Sequence, residues 1–355
     1  MLFTLLNFSL ALAPLSTGPL DVDAIDVAPG IVTWIERRLN LVVSGNVTAV
    51  IGNESVLIFD SGHHPGVTRE IIADLKRRTS KPVSHVVISH WHDDHWVAAS
   101  VFSEAWPQAQ VIAHPFTAAM MVARAPQVAP AACRKELDPV VTAFRERVRT
   151  GKRPDGTPFP ENVRARNAAF LEGAEEAQLQ CDQIRPVTVS RVISDSATIT
   201  LGGRSVVVRH PGRANTAGDL IAIVPELRTV LTGDLVVSPW PFATGPYMSE
   251  WITALKSIEG LRSEILIPGH GPIMRDPAYL RELIDLFESL ASQARAAWQP
   301  GMSLDSLRAK VDLSSFATRF SRGDPFVRAN FDAQMAGAVT RMWQELANAW
   351  TPERP

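Results

Sequence analysis

Apolar and polar positions alternate in short blocks through the first third of the chain. Val47 to Ile51 and Ser55 to Phe59 are β-rich runs separated by Gly52-Asn53, a pattern that predicts a hairpin ending at Asp60. Along Val67 to Arg78 the residues Ile71, Ile72 and Leu75 share one helical face, and Pro82 stops the helix. His85-Val86-Val87-Ile88-Ser89 then reads as a buried strand, which completes a β-α-β unit. A short helix and a strand around Gln110 to Ala113 follow. From Pro115 to Cys181 charged and apolar residues recur at helical spacing, so a helical insertion is expected over about residues 115–183.

Strand character returns at Val187 to Val192, Ala197 to Leu201 and Ser205 to Arg209, with Gly202-Gly203 as a turn. Leu220 to Val224 and Thr229 to Leu231 are two more apolar runs of strand length. A helix around Glu250 to Glu259 leads into a strand, Glu264 to Pro268, that runs directly into Gly269-His270-Gly271. From Pro277 to Trp350 the pattern is helical. No internal repeat or low-complexity linker splits the chain.

A chain of 355 residues, 46% hydrophobic and with a formal net charge of −2, is long enough to bury a sizeable core. With neither a basic excess nor a polybasic run, the expected partner is a small molecule and not a nucleic acid. Oligomeric state leaves no signature. Met1 to Ala13 is an apolar run too short to span a bilayer, followed by small and turn-forming residues through Gly18, as in a secretory signal over residues 1–18. It departs from that pattern in having no Lys or Arg before the apolar run. The expectation is export, periplasmic or secreted, with a cytoplasmic protein as the alternative. No other segment approaches a membrane span. Cys133 and Cys181 both fall in the insertion, where they either pair in an oxidising compartment or serve as two small buried hydrophobes.

The chemistry concentrates in His90-Trp91-His92-Asp93-Asp94-His95, directly after the buried strand. Imidazole nitrogens and carboxylate oxygens suit zinc and other first-row divalent ions. A short turn lets His90 and His92 converge while Asp94 and His95 swing toward a second position. Three further residues of ligand type close apolar runs: Asn215, Asp234 and His270. A β-sandwich that aligns its strand ends at one rim would bring Asp234 and His270 beside the histidine cluster.

In these motifs the chain resembles the metallo-β-lactamase superfamily of hydrolases. Asp60 matches the aspartate that ends an early strand, and His90, His92, Asp94 and His95 match the signature H-x-H-x-D-H. Asn215-Thr216-Ala217-Gly218-Asp219 follows H-T-x-G-D except at its ligand position, Asp234 matches the bridging aspartate, and His270 the last histidine. The resemblance covers roughly Ile25 to Pro272. It implies an α+β fold, the four-layer αββα sandwich, over residues 25–275, with the insertion inside it. A C-terminal helical extension over 276–355 would pack on the same domain. His90 and His92 would hold one metal and Asp94, His95 and His270 a second, with Asp234 bridging and Asp60 orienting a ligand from behind. The implied cofactor is zinc, two ions, with iron or manganese as alternatives. The implied reaction is cleavage of an ester, amide, lactone, thioester or phosphoester bond by a metal-bound hydroxide, with Asp94 as the catalytic residue that orients the water or receives its proton. β-Lactamase activity is one option in that class, and the fold alone does not select it.

Two departures from the family pattern matter. Asn215 offers a carboxamide where the pattern has an imidazole, a weaker and uncharged ligand, so the first site binds loosely, takes a harder ion or recruits another donor. His210 is either that donor or a strand-end histidine satisfied by hydrogen bonds. Trp96-Val97-Ala98 stand where the family usually has a glycine pair. His64, Trp91 and Tyr247 are the candidate substrate contacts, against a solvated loop for His63-His64 and core packing for Trp91 and Trp96. Trp240 and Phe242 would belong to an apolar mouth, and His85 and His114 read as structural. Two rival functions remain open at this stage: an iron-dependent oxidoreductase on the same fold, and a degenerate metal-binding module.

Overall fold

The computed structural model describes residues 22–36, 44–243, 247–349 and 353–355; the expected signal segment lies outside them. The chain divides into two compact units, one built from residues 19–209 and 222–227 and the other from 210–221 and 228–354.

The first unit begins with strands β1 (Val22–Ala28), β2 (Ile31–Glu36), β3 (Val47–Ile51) and β4 (Val56–Phe59), then helix α1 (Pro65–Arg78), strand β5 (Val83–Val87), helices α2 (Asp93–Trp96) and α3 (Ala99–Ala105), and strand β6 (Gln110–Ala113). Three long helices follow, α4 (Pro115–Val128), α5 (Pro130–Thr150) and α6 (Glu161–Cys181), and then β7 (Arg191–Val192), β8 (Ser196–Thr200) and β9 (Ser205–Arg209). β1 to β7 form one sheet in chain order. It is antiparallel from β1 to β4 and parallel from β4 to β7. The switch is a consequence of α1, whose crossover returns the chain to the same end of the sheet. Pro65 starts α1 with its φ already helical, Val67, Ile71, Ile72 and Leu75 bury one face, and Lys76, Arg77 and Arg78 complement the dipole in its last turn. That face belongs to a core that includes Trp34, Val56, Ile58, Val86, Ile88 and Phe102. Because β5 lies between two parallel neighbours and is buried over its final residues, its C-terminal end delivers the histidine run at a fixed position.

Strands β8 and β9 pair as an antiparallel hairpin and, with β10 (Ile221–Val224), β11 (Thr229–Val237) and β12 (Ile265–His270), make up a five-stranded sheet. In the second unit β11 and β12 run parallel. Around them come α7 (Met248–Glu259), α8 (Ala278–Ala297), α9 (Leu304–Arg308), α10 (Ser314–Ser321) and α11 (Pro325–Leu346). α8 buries Leu280, Leu283, Ile284, Phe287, Leu290 and Ala294, a stripe at helical spacing.

Four strands differ from the sequence pattern. β1 and β2 precede the first predicted hairpin; β1 is an edge strand, half exposed and interrupted by Asp23 and Asp26, so its alternation is weak. The run Val187 to Val192 pairs only at Arg191–Val192. β11 continues past Leu231 to Val237 and is buried at every position. The two cysteines are joined: Cys133 near the start of α5 and Cys181 at the end of α6 form a disulfide across 48 residues, with Cα atoms 5.6 Å apart. No described helix is long and apolar enough to cross a membrane.

Candidate metal centre

His90 to His95 follow β5, and a buried carboxylate organises them. Asp60, at the end of β4, has a positive φ of 60°, a conformation that Asp and Asn tolerate better than other side chains. Its Oδ1 accepts from the backbone N–H of Ser89 at 2.7 Å, and its Oδ2 accepts from Ser89 Oγ at 2.8 Å and from His95 Nδ1 at 2.9 Å. With Nδ1–H donated there, the tautomer of His95 puts its lone pair on Nε2. Ser89 Oγ also lies 2.9 Å from His90 Nδ1, so the same aspartate steadies a second imidazole through one hydroxyl. Sequence reasoning had no signal for Ser89 beyond its place one residue ahead of His90.

The backbone of the run is held as well. Ser61 N and Oγ donate to the His95 carbonyl at 2.9 and 3.0 Å, Gly45 N donates to the Asp94 carbonyl at 3.1 Å, and Trp96 Nε1 donates to the Trp91 carbonyl at 2.9 Å. Gly45 is a requirement of the site: a Cβ there would stand 2.6 Å from the His95 ring. The other ring nitrogens face ligand-type neighbours. His90 Nε2 is 2.9 Å from His92 Nδ1, and His95 Nε2 is 3.3 Å from Asp94 Oδ2. Tetrahedral ligands on bonds of about 2.0–2.1 Å stand roughly 3.3 Å apart; the His95–Asp94 pair has that spacing, and His90 and His92 stand closer, at hydrogen-bond distance.

The second unit carries the other expected ligands. Asp234 lies buried within β11, and His270 ends β12. Asp234 Oδ1 is 3.5 Å from His270 Nε2. Gly269 makes this approach possible, since a Cβ there would fall 2.0 Å from Asp234 Oδ1. Asn215 is 2% exposed, and its Nδ2 is buried with no hydrogen-bond partner among the described residues. Its loop is shaped by Asp219, which accepts from Thr216 N and Thr216 Oγ1 at 2.9 Å each; burial pushes the Asp219 carboxyl well above the usual range. His210 Nδ1 donates to the Asp219 carbonyl at 2.7 Å. Among the described residues, the His and Asp groups able to hold an ion draw on His90, His92, Asp94, His95, Asp234 and His270.

Over residues 41–270 the chain matches the sequence model of the Metallo-beta-lactamase superfamily. The chain belongs to that superfamily. Solved structures agree on the fold. A metallo-beta-lactamase from Pontibacter korlensis aligns with a TM-score of 0.52 and 16% identity, over 76% of this chain and 99% of that one. The stereoselective inverting sec-alkylsulfatase Pisa1 from Pseudomonas sp. aligns with a TM-score of 0.61 and 16% identity, over 91% of this chain but 50% of its own length. No curated protein sequence matches at a significant level. The protein therefore has the mixed α/β, two-sheet hydrolase fold of the metallo-beta-lactamase superfamily, with a candidate His/Asp metal cluster.

The remaining residues singled out in this superfamily member have definite surroundings. His64 is buried, with Nδ1 3.2 Å from Glu36 Oε2. His63, beside it, has its pKa lowered to about 4 by burial and by the neighbouring His64. Trp96 is buried and Trp91 half-buried. Tyr247 is buried, with the guanidinium carbons of Arg213 and Arg341 4.7 and 5.7 Å from its ring centre, and burial pushes its hydroxyl up to about 12. His85 contacts Ser84 Oγ at 2.8 Å, and His114 caps α4 by accepting from Phe116 N at 3.1 Å.

Proposed function

We propose that the protein is a metal-dependent hydrolase in which His90, His92 and Asp234 form one ligand trio and Asp94, His95 and His270 a second. The observation that carries this reading is the pair of preset imidazoles: Asp60 and Ser89 engage the Nδ1 atoms of His95 and His90, which turns each Nε2 toward another ligand-type residue, His90 Nε2 to His92 and His95 Nε2 to Asp94. The donor set, imidazole and carboxylate without thiolate, fits zinc best, with iron or manganese as alternatives. A bound divalent ion supplies an acidified water, with a pKa lowered toward about 7, and polarises the oxygen of the scissile group. The chain's own residues do the rest. Asp94, part exposed beside His95, holds the water and takes its proton. At Asn215 a carboxamide stands where the family pattern has a third imidazole, so that position offers the first trio only a weak further donor. Candidate substrates are small esters, amides, lactones, thioesters and phosphoesters. The two structural relatives add β-lactams and secondary alkyl sulfates to that range.

The test is elemental analysis of the purified protein beside hydrolysis of that substrate panel. The expected result is one or two equivalents of zinc and an activity that a chelator removes and zinc restores. His92→Ala should abolish it. Full activity in metal-stripped protein would overturn the reading.

We also propose that the protein is exported to an oxidising compartment. The Cys133–Cys181 disulfide supports this, because such bonds persist outside the reducing cytosol. Cell fractionation checks it: recovery of the protein only in the cytosol, with both thiols free, would refute export.

A further inference from the structure

The helical insertion touches the signature at the two positions that are not expected ligands. Arg124, in α4, donates from Nε to Asp93 Oδ1 at 2.8 Å and from Nη2 to Asp93 Oδ2, a two-pronged contact. The same guanidinium lies 5.4 Å from the ring centre of Trp91. Trp91 and Asp93 alternate with His90, His92 and Asp94 along the run, so each ligand-type residue from His90 to Asp94 is flanked by a residue that Arg124 holds. α4 is itself well anchored. It follows directly from β6, the parallel neighbour of β5; His114 caps it; and Met121, one turn before Arg124, is buried in the main core of the unit.

We propose that Arg124 is a positioning residue of the metal centre, acting through Asp93 and Trp91 to hold the turn His90–His95 in its ligating conformation. The proposal rests on the metal-centre reading above, and its own geometry lies wholly within the first unit. The turn is short: α2 has only four residues, too few to be stable by local hydrogen bonds alone. A planar guanidinium suits the task because it makes two directed bonds to a carboxylate while its face rests on an aromatic ring. Asp93 also opens α2, where a carboxylate favours the helix N-terminus. Arg124 engages both oxygens of that carboxylate. An exposed ion pair with no such role would leave the turn and its metal affinity unchanged on removal.

The experiment compares wild type, Arg124→Gln, Arg124→Lys, Asp93→Asn and the Arg124→Gln/Asp93→Asn double variant, all full length. Hydrogen exchange is read on the metal-free proteins, and zinc affinity by competition with a chromophoric chelator. Arg124→Gln should raise amide exchange across residues 91–96 about tenfold, with the β5 and β6 amides unchanged. Zinc affinity should fall about tenfold or more, the usual cost of losing a residue that orients ligands. Arg124→Lys should fall between, since it keeps the charge and loses the fork. The double variant should be no worse than the worse single variant, because both act through one contact. Unchanged exchange in Arg124→Gln, additive effects, or a rise spread equally over the β5–β6 core would each overturn the proposal. If wild type binds no zinc, the metal-centre reading fails, while the exchange data still decide whether Arg124 holds the turn.

Discussion

The two sets of expected ligands are built by different means. In the first unit, Asp60 accepts three hydrogen bonds from Ser89 and His95, and Ser89 passes that order on to His90. In the second unit, Asp234 is placed by its strand and by the absence of a side chain at Gly269, and Asn215 keeps a buried amide nitrogen with no partner among the described residues. One set is oriented by directed polar bonds and the other by backbone proximity. Directed bonds fix a tautomer and a ring angle. Proximity fixes only where a carboxylate can be. The two sets should therefore fail differently when disturbed.

The largest effect is expected at Asp60. Asp60→Ala removes the partner of His95 Nδ1 and orphans the Ser89 N–H and hydroxyl in a buried place, at about 1–3 kcal/mol for each group left unsatisfied. Zinc affinity should fall about 10–100-fold. Asp60→Asn keeps the shape and the positive φ but replaces one accepting oxygen by an NH2 that faces Ser89 or His95, so its loss reports the charge together with one acceptor. Chelator competition and thermal melting of the metal-free proteins separate the two, and an unchanged zinc affinity in both variants would remove the contrast between the units.

Next in size is Gly269→Ala. The added Cβ collides with Asp234 Oδ1, which should cost about 1–3 kcal/mol of stability, as overpacking does. It should also weaken zinc binding while His95 and Asp60 keep their hydrogen bond, visible as an unshifted His95 ring proton by NMR. If Gly269→Ala disturbs His95 as strongly as it disturbs the metal, the two sets are not independent.

A smaller change, and one of opposite sign, is expected from Asn215→His. An imidazole at that position should tighten the weaker zinc equivalent by about tenfold, the value of a better ligand in a set of nitrogen and oxygen donors. Asn215→Ala should alter zinc binding little. Calorimetric titration distinguishes these, and a large loss of zinc in Asn215→Ala would make the asparagine a true ligand.

The smallest effect is a slope of stability with pH. Burial depresses the His63 pKa from 6.5 to about 4, so the folded state keeps this ring neutral where the unfolded chain takes a proton. Stability of the metal-free protein is then full above about pH 6.5 and declines as pH falls toward 4. In His63→Asn that part of the slope should disappear, as read by urea melts at pH 7, 5.5 and 4.5.

Much of this was legible in the chain itself. The hairpin at 47–59, the helix after it and the strand before His90 were readable because apolar periodicity is set by which face meets the core, and Val83, Val86 and Val87 of β5 are buried. The three long helices and the disulfide pairing sit where the pattern and the two cysteines allowed them. β1 and β2 were not legible, since a half-exposed edge strand carries charges at positions that a central strand would keep apolar. Gly45 was invisible for a related reason. Nothing local to Ser44-Gly45-Asn46 shows that a histidine ring 50 positions on will lie against it.

By itself, the sequence determined the chemistry on offer: three imidazoles and two carboxylates in six residues, two more ligand-type residues beside apolar runs, an asparagine where the family pattern has a histidine, and the family those motifs mark. Only the tertiary structure decided how that chemistry is held. Tautomers, ring angles and the grip of Arg124 on Asp93 depend on contacts between residues 29 to 35 positions apart, and no local pattern records a contact that only folding creates.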